Sequence, residues 1–145
     1  FPEMEVIEAG WYQQHKDDGL CLTFLPAQHW SKRGVSDGGE RLWGAFMIQA
    51  DGITIYNSGD TGYAHHFKEL SDIFPHIDYC MIGIGAYKPR WFMKPNHISP
   101  YDALTASAEM GARMTIHVFA AEARKRNMDV MIPELGEVVK LHHIR

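Results

Sequence analysis

Three polar residues stand directly after strand-like runs, where a sheet hands its chain over to loops. Leu22-Thr23-Phe24-Leu25-Pro26-Ala27-Gln28 leads into His29, Ile53-Thr54-Ile55-Tyr56-Asn57-Ser58-Gly59 into Asp60, and Met114-Thr115-Ile116 into His117. Loops that leave one edge of a sheet can converge, and two imidazoles with a carboxylate suit a divalent ion such as zinc. Each residue also has a plainer reading. A histidine after a strand can be a satisfied structural side chain, and the aspartate of Gly59-Asp60-Thr61-Gly62 can serve a turn or a helix cap. No His-x-His or Cys-x-x-Cys string declares a metal site locally. The pairs His65-His66 and His142-His143 fall at a helix start and at the end of the last strand, and read as surface positions.

The elements that must position these residues follow from the hydrophobic pattern. Residues 3–12 alternate like a strand. Asp17-Asp18-Gly19 signals a hairpin, and residues 20–25 form a buried strand stopped by Pro26. Residues 31–39 are a polar loop. Residues 42–49 and 53–57, joined by Asp51-Gly52, make the clearest hairpin. A loop at 58–62 precedes a short helix at 64–73. The near-continuous apolar run 79–84 suits a strand covered on both faces. Residues 85–96 are a long loop. Ser99 caps a helix with Pro100 in its first turn, and Gly111 ends it. A strand at 114–119, a helical turn or two at 120–127 and a last strand at 137–142 complete the chain. Strands and hairpins first, then alternating helix and strand, define an α/β layered class in a single domain spanning residues 1–145.

Composition bounds the partners. With 145 residues, 46% hydrophobic and 22% charged, the chain is long enough to bury a core. A formal charge of −4 without a basic stripe argues against a dedicated nucleic-acid binder. The densest basic cluster, Arg124-Lys125-Arg126, reads as a solvated helix face. Cys21 and Cys80 sit in apolar runs and read as free buried thiols. No apolar stretch reaches the roughly 20 residues needed to span a bilayer. A cytoplasmic location, or one peripheral to a membrane or cell envelope, is consistent with that. The chain starts at Phe1-Pro2-Glu3, which suggests a processed or excised piece.

Four motifs in order carry a resemblance. They are Pro26-Ala27-Gln28-His29-Trp30-Ser31-Lys32-Arg33 with Leu42-Trp43-Gly44, then Ser58-Gly59-Asp60-Thr61-Gly62-Tyr63. Ile84-Gly85-Ala86-Tyr87-Lys88-Pro89-Arg90-Trp91-Phe92-Met93 and Asn96-His97-Ile98-Ser99-Pro100 follow. Together they resemble the N-acyl-phosphatidylethanolamine phospholipase D-like branch of the metallo-β-lactamase superfamily, over nearly the whole chain. The resemblance implies an αββα sandwich, two sheets face to face with flanking helices, of which this chain is the C-terminal half. It implies that His29 ligates one zinc ion, Asp60 bridges two, and His117 ligates the second. Thr61 would orient Asp60. His97 would bind or protonate the substrate phosphate, sharing the catalytic role with Asp60, and Tyr63, Tyr87, Arg90 and Trp91 would line the mouth.

Two features depart from the family pattern. Its His-x-His-x-Asp-His motif, expected upstream, occurs nowhere in the chain, and Val118-Phe119-Ala120-Ala121 replaces the usual Trp-Gly-Thr-Phe after His117. The expectation is therefore a zinc-dependent hydrolase of phosphodiester, phospholipid-like or related ester bonds. This piece alone would hold metal weakly or not at all and would be inactive. An apolar sheet face would be left to pair with the missing N-terminal half or with a second copy. The competing expectation is a non-catalytic binding or assembly module that kept the fold.

Overall fold

Two Asp-Gly turns shape the first half of the sheet. Asp18 (φ 38°) with Gly19 (φ 82°), and Asp51 (φ 50°) with Gly52 (φ 76°), adopt the left-handed conformations that match a tight turn to twisted strands. They join β1 (Gln14–Asp17) to β2 (Leu20–Pro26) and β3 (Gly44–Ala50) to β4 (Ile53–Asn57). The chain then alternates: α1 (His66–Ile73), β5 (Tyr79–Met81), α2 (Arg90–Met93), α3 (Pro100–Glu109), β6 (Met114–Ile116) and β7 (Val130–Met131). This computed structural model describes residues 5–32, 34–116, 130–131 and 139–142.

The seven strands lie side by side in sequence order, antiparallel from β1 to β4 and parallel from β4 to β7. This is the mixed α/β sheet with flanking helices that the pattern predicts. Its register fixes the site. Pro26 pairs with Gly44, Phe46 with Asn57, Asn57 with Met81, and Met81 with Ile116. The ends of β2, β4, β5 and β6 therefore stand in one row, and the loops after them leave from the same edge.

The two faces differ. Leu25, Ala45, Met47, Tyr56 and Cys80 point to one face and are fully buried with Phe67 and Leu70 of α1 and Ala103 and Ala106 of α3. Full burial of each large side chain contributes about 1.5–3 kcal/mol. Helix α1 offers Phe67 and Leu70 at helical spacing, and Phe74 just past its end extends the same stripe. In α3 the Ser99 hydroxyl accepts from the Asp102 N–H at 3.2 Å, Pro100 opens the first turn, and Gly111 (φ 68°) follows the last. On the other face, register places Leu22 beside Ile48, Phe24 beside Phe46, and Ile48 beside Ile55. These are all apolar, and Phe46 is 44% exposed. Among the described residues no helix packs there.

Several boundaries differ from the sequence reading. Residues 5–12 form no strand, and the first strand is the polar stretch Gln14–Asp17, whose backbone simply pairs with β2. The 79–84 run stops as a strand at Met81. A one-turn helix, Arg90–Met93, occupies the long loop, and Val130–Met131 forms an unforeseen edge strand. Residues 139–142 are not a strand, and the helix expected at 120–127 lies outside the described residues. Both cysteines are free, Cys80 buried and Cys21 half-buried. His65 is on the surface as expected. His66 is not: its ring lies 4.1 Å from that of Phe67 and its Nε2 is buried without a hydrogen-bond partner.

Burial lowers the His66 pKa, against a smaller opposing pull from Glu69. A folded pKa below the unfolded value means stability present above about pH 6.5 and lost as pH falls through the folded value. Urea midpoints measured from neutral pH downward should therefore drop less steeply for His66→Gln than for the parent chain. Parallel curves would contradict this.

Candidate metal centre

The loop after β2 carries His29, the loop after β4 carries Asp60, and the turn before α3 carries His97. One ligand atom from each lies within 4.8 Å of the other two. What brings them together is a backbone clasp. The Gly62 N–H donates to the Gln28 carbonyl at 2.8 Å, forming an isolated antiparallel bridge between the two loops. The Gln28 N–H donates to Thr61 Oγ1 at 3.0 Å, and Thr61 Oγ1 donates to the Gly62 carbonyl at 2.9 Å. Gln28 Nε2 donates to the Pro95 carbonyl at 2.8 Å, tying in the third loop. Thr61 is fully buried and spends its hydroxyl on this clasp rather than on orienting the Asp60 carboxylate. Gly62 sits so close to residues 94–95 that a Cβ there would lie 2.3 Å from the Pro95 oxygen.

Each ligand is held from behind. His29 Nδ1 lies 2.7 Å from the Trp30 carbonyl, an atom that only accepts, so Nδ1 carries the hydrogen and Nε2 presents its lone pair. The His29 ring stacks on Trp43 at 4.6 Å and meets the His97 ring edge-on at 5.2 Å. Trp43 is itself fixed at both ends, its indole N–H donating to the Asp60 carbonyl at 2.7 Å and its carbonyl accepting from Trp11 Nε1 at 2.9 Å. The last residue of α2 sets His97: the His97 N–H and that of Asn96 both donate to the Met93 carbonyl, at 2.8 and 3.0 Å. Asp60 is exposed, while His29 and His97 are half-buried. A carboxylate and two imidazoles, one with a defined tautomer, fit a borderline divalent ion such as zinc.

The remaining residues named by the sequence take up varied positions. His117 lies outside the described residues, although β6, which it follows, ends on the same edge as β4 and β5. The Tyr63 hydroxyl donates to Glu109 of α3 at 2.8 Å, and this bond raises its pKa. Arg90 pairs with Asp102 at 2.6 Å, and Asp102 also accepts from Ser99 Oγ at 2.8 Å. Tyr87 lies half-buried under the Lys88 ammonium, and Trp91 is 83% exposed. Sequence reasoning missed Trp43 and Gln28 as positioning residues. Both stand inside the quoted motifs, but neither carries chemistry of its own. Beside Asp60, a cleft of about 700 Å³ lies between Trp43, Asn57 and the 82–85 segment that follows β5. A second cavity of about 620 Å³ opens at the opposite end of the strands, by Asp78 and Arg113. None of the clustered ligands lines it.

Known proteins agree with this architecture. The family described as "Beta-lactamase superfamily domain" matches residues 2–118. An N-acyl-phosphatidylethanolamine-hydrolyzing phospholipase D of Caenorhabditis elegans is 36% identical over 118 residues, covering 78% of this chain and 33% of that protein. Outer membrane protein RomA of Klebsiella pneumoniae is 34% identical over 110 residues, covering 76% of this chain and 81% of RomA. Igni18, a metallo hydrolase from Ignicoccus hospitalis, superposes with a TM-score of 0.76 at 18% identity, over 99% of this chain and 64% of its own. The chain belongs to the metallo-β-lactamase superfamily. It spans a third of the nematode relative and most of RomA.

Gly62→Ala tests the clasp. The added methyl must push the 94–95 backbone away, at a cost of about 1–3 kcal/mol. Denaturant titration is expected to show that loss together with weaker metal binding. An unchanged midpoint with unchanged metal affinity would contradict the role given to Gly62.

Proposed function

We propose that this chain supplies part of the metal centre of a hydrolase that cleaves phosphodiester bonds, phospholipid-like or related esters, with zinc as its ion. The observation that carries the proposal is the convergence of His29, Asp60 and His97 within 4.8 Å. Superfamily membership and the metallo hydrolase likeness support metal-dependent hydrolysis in general. The phospholipase D relative supports the phosphodiester class.

His29 and Asp60 would hold the ion, with His117 as a further ligand, while His97, the third member of the cluster, would face the substrate. When bound, a divalent ion there lowers the pKa of coordinated water and neutralises charge on a phosphoryl oxygen. His29 is kept in its Nε2-accepting tautomer by the Trp30 carbonyl. The carboxylate of Asp60 has two oxygens, enough to serve two ions. His97, held at the rim by the Met93 carbonyl, would donate a hydrogen bond or a proton to the substrate phosphate. Trp43 stacks on the His29 ring and would hold its orientation toward the ion. Three protein ligands shared by two ions bind weakly, so the full centre needs donors from outside this chain. The apolar face of Leu22, Phe24, Phe46, Ile48 and Ile55 is where a second structural unit would seat, either an upstream segment or another copy.

Metal analysis of the full-length protein, followed by hydrolysis of a soluble phosphodiester with and without chelator, tests the reading. Zinc content with chelator-sensitive turnover is expected, and Asp60→Asn should cut turnover at least about 100-fold, since loss of even an outer-shell partner costs 10–100-fold. A metal-free, inactive protein would favour the non-catalytic module instead. Light scattering coupled to size-exclusion chromatography tests the sheet face. The chain alone should self-associate, and Phe46→Asp should return it to a monomer. A clean monomer of the parent chain at every concentration would rule out the seating role.

A further inference from the structure

One surface feature lies outside the metal centre yet is joined to it. The one-turn helix α2 presents two large apolar side chains side by side, Trp91 83% exposed and Phe92 62% exposed, their rings 5.7 Å apart. Neither packs into the core. Lys88 and Lys94 flank them, both exposed. The charge of this stretch runs against that of the whole molecule: the chain carries −4, but residues 83–101 contain Lys88, Arg90 and Lys94 and no Asp or Glu. Arg90 is committed to Asp102, which leaves exposed Lys94 and exposed Lys88, the latter over the Tyr87 ring, as the remaining cations of the stretch.

An amphipathic indole and a phenyl ring ringed by lysines fit the boundary of a bilayer, where aromatic rings sit at headgroup level and ammonium groups meet anionic lipid. We infer that α2 is a membrane-docking element, with Trp91 and Phe92 entering the interface of an anionic phospholipid bilayer and Lys88 and Lys94 pairing with its headgroups. The inference rests on the lipid-like substrate class proposed above and adds how such a substrate is reached. The same turn that carries the aromatic pair ends in His97, through the two bonds to the Met93 carbonyl, and Pro95 is held by Gln28 beside His29. Docking at α2 would therefore bring the lipid surface toward the His29, Asp60 and His97 cluster, with one short hydrogen-bonded turn between them.

Sedimentation with vesicles tests this without any turnover, so it fails or succeeds independently of the phosphodiesterase reading, which is measured on a soluble substrate. The full chain is mixed with vesicles of phosphatidylcholine alone or of phosphatidylcholine with phosphatidylglycerol. Binding is expected to favour the anionic vesicles and to weaken with salt. Trp91→Ala with Phe92→Ala should lower the partition coefficient on the order of tenfold or more, while Lys88→Gln with Lys94→Gln should remove the preference for anionic lipid. Near-UV circular dichroism checks that each variant is folded. As a conservative second variant, Trp91→Phe should lose the tryptophan quenching that brominated lipid produces in the parent. Equal partitioning of parent and aromatic double variant, or no vesicle binding by the parent, overturns the inference. So does a double variant that dissolves a protein assembly while leaving vesicle binding intact.

Discussion

The site depends on a clasp of backbone atoms around Gln28 and Gly62. Gln28 accepts from Gly62 through its carbonyl, donates to Thr61 through its N–H, and reaches Pro95 through its side chain. One residue thus binds the three loops that carry His29, Asp60 and His97. Ordering each of these loops costs entropy that a single hydrogen bond does not repay. The clasp closes all three at once, and the sheet register, which sets the ends of β2, β4 and β5 in one row, delivers them already at one edge. Gly62 is the enabling residue because nothing larger lets residue 62 approach the Pro95 carbonyl.

The surrounding side chains divide into those that face the cluster and those that brace it. Trp43 does both, stacking on His29 while its indole N–H holds the backbone of Asp60. Tyr63 and Arg90, which the resemblance places at the mouth, take partners on α3: Glu109 for the phenol and Asp102 for the guanidinium. Those bonds fix the loops to the helix beneath them. Asp102 in turn is bonded to the Ser99 cap, so the start of α3 is tied through Arg90 to the turn that leads to His97.

Much of this was legible in the sequence where local chemistry decides it. The Asp51-Gly52 turn, the Ile53–Asn57 strand and the Ser99-Pro100 helix start are set by residues with strong intrinsic preferences, and the structure keeps them. His29 and Asp60 were readable because each ends an apolar run. The misses have long-range causes. Gln14–Asp17 is polar and becomes a strand only because β2 offers it a ladder. His66 looks like a surface residue in sequence and is half-buried because α1 turns its first residue against Phe67. The entry of His97 into the cluster required the Met93 turn and the Pro95 contact, and neither follows from spacing.

The proposed chemistry needs a metal ion at one place, between the loops after β2 and β4. Anomalous diffraction at the zinc edge, from crystals of the protein grown with zinc, locates such an ion. A peak is expected within coordination distance of His29 and Asp60, with His97 beside it. A strong peak bound elsewhere, with His29 and Asp60 left without metal, would contradict it.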